Sequence, residues 1–343
     1  MALFVCAVGC GSIVFLKPPK FWYAKEASFF QKIFLSPFSA IYSFVSSWNY
    51  KRSYKCKLDS VKVIAIGAIT VGGSGKSIVT AAIADIFKDM NKKAAVLSRG
   101  YGRSSDETIA VDANVHTYQD IGDEPLMLSK KGMDVYVSKD RSKSTQMAMA
   151  KEQYDAFILD DGLCQRYLQP NVRFLVIDVS QGFGNGEMLP LGPNRLDFEA
   201  IKDDIDAVIL ISGCTTGVTE KNAGIYLSRW QGHLCECVTH QDFSNIDCNK
   251  QYIAFCGLGY PRKFFDSLRK KLSVEKEVEF PDHYPYSEKD IVDLLDEAHT
   301  LNAKIITTEK DLARIPKKFH HLVTTVPVKI IWGNKEEIEA YLR

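Results

Sequence analysis

A chain of 343 residues, 46% hydrophobic and 25% charged, is long enough for about two domains that each bury a core. A formal net charge of +1 excludes the strongly basic balance of a nucleic-acid binder, and nothing in the chain calls for an obligate protein partner. Nine cysteines, an odd number without a disulfide-like rhythm, fit a reducing compartment.

Residues 1–16, "MALFVCAVGCGSIVFL", are uncharged and mostly apolar but fall short of the ~20 residues of a spanning helix. No basic region precedes them, as a signal peptide requires. In the next stretch, Phe21 to Tyr54, twelve of 34 residues are aromatic. From Lys17 to Lys57 eight basic residues stand against one acid, Glu26. Rings interleaved with lysines suit a helix lying in a membrane interface beside anionic head groups. The alternative is a helix that packs its rings on the protein's own core. Pro37 is expected to break the segment into two pieces. Residues 1–57 are therefore read as a membrane-associating segment giving peripheral or monotopic attachment.

"VKVIAIGA" (Val61–Ala68) is an apolar run of strand length. "TVGGSGKS" follows, then "SIVTAAIADIFKDM" with helical spacing. Strand, glycine loop, Lys-Ser and helix form the setting of a phosphate-binding loop for ATP, spanning Thr70, Val71, Gly72, Gly73, Ser74, Gly75, Lys76 and Ser77. Thr70 stands where the usual pattern has its first glycine. Lys76 is placed to reach the β- and γ-phosphates and Ser77 to offer a hydroxyl to Mg²⁺.

"AAVLS", "DVYVS", "AFILDD", "RFLVID" and "AVILIS" are further strands, with "DEPLMLSKKG" and "DRSKSTQMAMAKEQ" as helices between them. The alternation predicts a doubly wound parallel sheet, with its site beyond the carboxyl ends of the strands. Asp160 and Asp161 end one such strand, where a magnesium-binding acid belongs; a helix cap is the other use for one of them. Two adjacent carboxylates in an extended chain face opposite ways, so only one is expected on the metal. In "GDEP", Asp123 is equally well explained as the N-cap of a helix.

A turn-rich break at "SGCTTGVTEKNAG" predicts a kinase domain over 58–215 and a smaller α/β domain over 216–343. The cluster His233, Cys235, Cys237 and His240 lacks a usual zinc spacing, and its alternation reads as a strand. Beyond it, "YIAFCG", "PRKFFDSLRKKL", "SEKDIVDLLDEAHT" and "AKIITTEKDLARI" continue the strand-loop-helix pattern. Ser287 and Asp290 sit well for helix initiation. Thr307, Thr308 and Lys310 are candidates for nucleotide contact or for closing the cleft, or else lie in a solvated loop.

"TVGGSGKS", "LSRGYGR", "GDEP", "DRSKS", "LDDGL", "GFGNGEMLPLGPNR", "FCGLGYPRKFF", "FPDHYPYS" and "TTEKD" occur in the order seen in tetraacyldisaccharide 4′-kinases, and the chain resembles that family from about Lys20 to Arg343. The family's loop also carries threonine at the first glycine position. The resemblance implies two Rossmann-like α/β domains, the first a P-loop NTPase-type parallel sheet, with the active site between them. It implies transfer of the ATP γ-phosphate, with Mg²⁺, to the 4′-hydroxyl of a lipid A disaccharide 1-phosphate at the cytoplasmic face of the bacterial inner membrane. Asp123 resembles the family's catalytic base and His283 its partner. Asp160 and Asp161 resemble the acids near Mg²⁺, and Arg195 an arginine near the transferred phosphate. Two places depart from the family: Cys164-Gln165 replace a Gln-His pair, and Leu196-Asp197 replace Glu-Pro, leaving Asp197 as a possible substitute carboxylate.

Two other classes are compatible with a phosphate loop: a membrane-recruited ATPase or GTPase switch, and a kinase of a soluble metabolite. The pairing of "GDEP" with "FPDHY" argues against the first, and the aromatic, basic front end against the second.

Overall fold

The computed structural model describes residues 19–24, 26–212, 230 and 232–343. The apolar stretch 1–16 and most of the expected boundary at 212–224 lie outside these residues. After a short turn of helix at Lys20–Tyr23, the chain forms α1 (Phe29–Tyr50). The phosphate-loop domain then runs β1 (Lys62–Gly67), α2 (Lys76–Asp89), β2 (Ala94–Ser98), β3 (Ile109–Ala110), α3 (Tyr118–Ile121), α4 (Asp123–Lys130), β4 (Asp134–Val137), α5 (Arg141–Lys151), β5 (Ala156–Asp160), β6 (Val172–Asp178), α6 (Phe198–Ile201) and β7 (Ala207–Ser212). Next come β8 (His233–Gln241), β9 (Gln251–Cys256), α7 (Pro261–Arg269), β10 (Ser273–Glu279), α8 (Glu288–Thr300), β11 (Ala303–Thr308), α9 (Glu309–Leu312), β12 (Val323–Val326), β13 (Val328–Trp332) and α10 (Lys335–Leu342).

Among the described residues the strands form a nine-stranded sheet in the order β13-β8-β7-β6-β1-β5-β2-β4-β3 and a four-stranded parallel sheet in the order β10-β9-β11-β12. In the large sheet β3 and β13 pair antiparallel with their neighbours and the other pairings are parallel. Helices cover both faces, so β1 reads as a continuous apolar run and not as an alternation. Ile64 and Ile66 enter one core with Val79, Ile83 and Phe87 of α2, while Val63 and Ala65 enter the opposite core with Phe157 and Leu175.

The domain boundary differs from the one expected at 216. β8 extends the large sheet beside β7, and β13 returns from the far end of the chain to pair with β8, with Val328 opposite Gln241. Ile338 and Leu342 of α10 pack into the large sheet's core. The small sheet is thus an insertion between β8 and β13. Turn residues mark the end of an element, not the sheet the next strand joins.

Pro37 does not divide α1, which is one helix of 22 residues. Pro37 is exposed, so its missing N–H and the carbonyl it leaves unpaired fall on the outer side. A capping box of Ser28 and Gln31 fixes the start, and contacts along the inner side hold the rest. Ser39 Oγ donates to Met188 O at 2.9 Å, Ser46 Oγ to Arg195 O at 2.6 Å, and Arg166 Nε to Tyr50 O. Ser39, Ser46 and Tyr50 of α1 thus face the protein. Phe29, Phe30, Phe34, Ile41, Phe44 and Trp48 face outward, each more than 60% exposed. Core packing of these rings is therefore excluded. Among the described residues no helix is long and apolar enough to cross a membrane.

Candidate active site

The phosphate loop leaves β1 at Gly67 and is held from one side by the Gly192–Arg195 loop. Val71 N donates to Pro193 O at 2.9 Å, Arg195 N to Ile69 O at 2.7 Å, and Thr70 pairs with Asn194 as a β-bridge. Thr70 is therefore in extended backbone, where a glycine is not required. Gly75, at φ +79°, precedes the first turn of α2, and a Cβ there would meet Ile211 Cδ1 at 2.5 Å. Gly72, also at positive φ, and Gly73 leave backbone amides free to approach an anion.

Lys76 Nζ lies 3.2 Å from Ser74 Oγ and 3.9 Å from Asp161 Oδ1. Ser77 follows in the first turn of α2, half-buried. Arg195 donates through both Nη atoms to the two oxygens of Asp161, each at 2.7 Å, and from Nη2 to Ala68 O at 2.9 Å. Arg195 and Lys76 overcome desolvation and hold the Asp161 carboxyl well below the usual range. Asp160 has a different environment. It is buried and accepts from Thr80 Oγ1 at 3.1 Å. Burial, then Glu124 and Asp161, push its carboxyl up to about 7. The chain is not extended at Asp161, whose φ is +53°, and the two acids have different partners, Thr80 for Asp160 and Arg195 for Asp161. Neither is a helix cap.

The second cluster spans the domains. Asp123 is the first residue of α4, and Gly122 at φ +93° holds the N-cap position, so the capping alternative is overturned. Asp123 is 4% exposed. Its Oδ1 accepts from Glu124 N at 2.9 Å, and its Oδ2 lies 2.8 Å from His283 Nδ1 and 3.4 Å from Arg314 Nε. Burial alone would raise this carboxyl; Lys310, His283 and Arg314 outweigh it and hold it well below the ordinary range. His283 reaches across from the loop after β10, itself at φ +58°, with Tyr101 packed 5.5 Å away between ring centroids.

Lys310 does not lie in a solvated loop: it donates to Glu124 Oε1 at 3.1 Å and sits 3.4 Å from His283 Nε2. Thr307 and Thr308 serve locally, the first bonded to Phe255 O and the second capping α9. A second bridge joins the domains beside the phosphate loop, where Lys263 of α7 donates to buried Asp178 at 2.7 Å. A Cβ on Gly259 would lie 3.3 Å from Gly73 N, so the β9–α7 turn packs directly on the phosphate loop.

Sequence reasoning missed Arg141, Arg314, Thr80, Asp178 and Lys263. Arg141 is buried, donates to Ser138 O at 2.7 Å, and is lowered to about 10 by burial. A buried arginine looks like any other in a sequence; its place at the start of a helix after a strand was the usable signal. Asp197 is not a substitute site carboxylate, because it caps α6 by accepting from Glu199 N. Gln165 folds back on its own turn, bonding Leu168 O and accepting from Tyr167 N and Leu168 N.

The donor set fits ATP and magnesium. Buried Nε groups of Arg103, Arg141 and Arg195 have no partner among the described residues, an excess of donors suited to an anion. Asp160, Asp161 and Glu124 crowd negative charge beside them. No group of three or more His, Cys, Asp or Glu side chains converges on one metal position among the described residues, and the His233–His240 strand holds none. Mg²⁺ typically binds through one or two carboxylates plus phosphate oxygens, so it requires no such protein cage.

A phosphate loop facing a buried carboxylate–imidazole pair across a domain cleft defines an ATP-dependent phosphotransferase, a kinase. The match is specific. The family model described as tetraacyldisaccharide-1-P 4′-kinase, LpxK, covers residues 31–343. The tetraacyldisaccharide 4′-kinase of Rhodopseudomonas palustris strain BisA53 is 31% identical over 325 residues, 92% of each chain. That of Hyphomonas neptunium is 32% identical over 339 residues, 95% of this chain and 97% of its own. LpxK from Aquifex aeolicus, crystallised in complex with ATP, superposes with a TM-score of 0.73 at 26% identity over 91% of this chain and 98% of that one. The chain belongs to the tetraacyldisaccharide 4′-kinase family.

Proposed function

We propose that the cleft moves the γ-phosphate of ATP to the 4′-hydroxyl of a tetraacyldisaccharide 1-phosphate presented from a lipid surface, and that Asp123 takes the hydroxyl proton. The observation that carries this reading is the 2.8 Å contact of Asp123 with His283 across the domains. A nucleotide switch has no use for a buried, oriented base, whereas an alcohol acceptor does.

Residues Thr70–Ser77 cradle the phosphates, Lys76 and Arg195 offset charge on the transferred group, and His283 orients Asp123. Because phosphoryl transfer is loose, little proton transfer is needed early, so a carboxylate of low basicity suffices when it is correctly placed. Ser77 and the Asp160–Asp161 pair, one carboxylate of it directly, would hold Mg²⁺, which supplies neutralisation of the developing phosphate charge. Asp161 holds Arg195 and sits near Lys76, so one carboxylate gathers both cations beside the phosphate loop.

The outward aromatic face of α1 supports attachment to the membrane surface, peripheral or monotopic, at the cytoplasmic face of the bacterial inner membrane. Ser46 ties that helix to the carbonyl of Arg195, so a lipid-seated helix lies at the rim of the cleft. Transfer of label from γ-labelled ATP to the disaccharide 1-phosphate in mixed micelles tests the reading. Label appearing only as free phosphate, whether or not lipid is present, refutes it.

A further inference from the structure

The ring of His283 has a charged neighbour at each nitrogen. Nδ1 lies 2.8 Å from Asp123 Oδ2. Nε2 lies 3.4 Å from Lys310 Nζ and 3.9 Å from Asp282 Oδ1, a buried oxygen with no hydrogen-bond partner among the described residues. Glu124 and Arg314 complete the charged surroundings, on the Lys310 and Asp123 sides respectively. Burial would lower the Lys310 ammonium, but Glu124, Asp123 and Asp282 outweigh it and hold it above the usual lysine range. It is therefore an ammonium, which donates and cannot accept.

We propose that Lys310 is a positioning residue for the reaction: by donating to Nε2 of His283 it fixes the ring proton on Nδ1, so that His283 donates to Asp123 instead of to Asp282. This rests on reading Asp123 as the base. Asp282 is the competitor. With Lys310 absent, its free oxygen competes for the ring proton at Nε2, and His283 no longer donates to Asp123. The same lysine reaches Glu124, the residue after the base, and its neighbour Glu309 bonds Lys131 at 2.8 Å near the far end of α4. Two opposite charges in sequence thus register the inserted domain along α4 at two points, which sets where His283 arrives.

The experiment is nitrogen-15 NMR of histidine-labelled full-length enzyme at neutral pH, with the His283 resonances identified by their loss in His283→Gln. The wild type is expected to show Nδ1 protonated and Nε2 bare, Lys310→Arg the same, and Lys310→Met a protonated Nε2. A protonated Nε2 in the wild type, or an unchanged ring in Lys310→Met, overturns the proposal. The wild-type spectrum is decisive even where the Met variant fails to fold. In turnover, Lys310→Met should lose about 10- to 100-fold in kcat, a part of what general-base catalysis supplies, with the KM for ATP unchanged. An altered ring with full kcat would leave the hold of Lys310 on the ring standing and remove Asp123 as the base.

Discussion

Replacing Arg314 with methionine tests whether the inserted domain and the site share one buried charge network. Arg314 is 1% exposed. It donates to Asp311 Oδ1 at 2.6 Å, Gly257 O at 2.9 Å and Tyr284 O at 3.1 Å, and its Nε faces Asp123 at 3.4 Å. Removing one partner of a buried ion pair costs about 3–5 kcal/mol, because the other charge stays buried. Asp311 keeps three donors, Gly257 N at 2.8 Å, Tyr286 Oη at 2.7 Å and Thr308 Oγ1 at 2.5 Å, which places the loss near the lower end, about 3 kcal/mol. At roughly 2–4 °C per kcal/mol for a domain of this size class, the melting transition should fall by about 6–12 °C. Calorimetry of wild type, Arg314→Met, Asp311→Asn and the double variant would give the loss and the coupling between the pair. A single variant within about 1 kcal/mol of wild type, or additive behaviour in the cycle, would refute the network.

Asp123→Ala should reduce kcat by about 10²- to 10⁴-fold while ATP binding by calorimetry stays unchanged; a loss confined to ATP affinity contradicts the base assignment. Lys76→Ala should impair turnover and nucleotide binding together, and a fully active variant would mean the loop does not hold phosphate. Charging the outer face of α1 with Phe34→Glu, Phe44→Glu and Trp48→Glu should lower co-sedimentation with anionic vesicles at least about tenfold and leave ATP binding intact, since each immersed ring contributes roughly 1 kcal/mol or more. The pH profile has a defined sign. A carboxyl held low in the folded protein contributes its stabilisation above the unfolded value near 4 and loses it as pH falls through the lower folded value. Asp123 is thus ionised throughout the neutral range, and removing a cation beside it raises its pKa. The acid limb of kcat/KM should move toward neutrality in Arg314→Met; a shift in the other direction would contradict the electrostatic account.

Much of this was legible in the sequence because it depends on local physics. Strand β2, Ala94–Ser98, and strand β7, Ala207–Ser212, coincide with their apolar runs, since a strand buried on both faces has no other composition available. The cap of α8 by Ser287 and Asp290 follows from the pattern alone. The Asp123–His283 pair was not derivable from either residue by itself; only the resemblance joined positions 160 residues apart. What stayed hidden is long-range. No local signal says that β13 pairs with β8, and none distinguishes Arg314 as the arginine that reaches Asp123. For α1 composition was ambiguous between membrane and core. The structure excludes the core for the outward rings Phe29, Phe30, Phe34, Phe44 and Trp48, while Ser39, Ser46 and Tyr50 occupy the inner face.

The insertion explains why one site needs residues from both sheets. The chain leaves the large sheet at Gln241 and re-enters at Val328, and these residues face each other in the β8–β13 ladder, with Asp242 N bonded to Pro327 O at 2.9 Å. The two crossings are therefore paired strands and not independent linkers. The insertion meets the phosphate-loop domain through the Lys263–Asp178 bridge and Gly259 at the phosphate loop on one side, and through His283, Lys310 and Arg314 at α4 on the other. The Asp123–His283 contact and the Gly259–Gly73 approach are thus both held between the two sheets, so the position of the insertion bears on both at once.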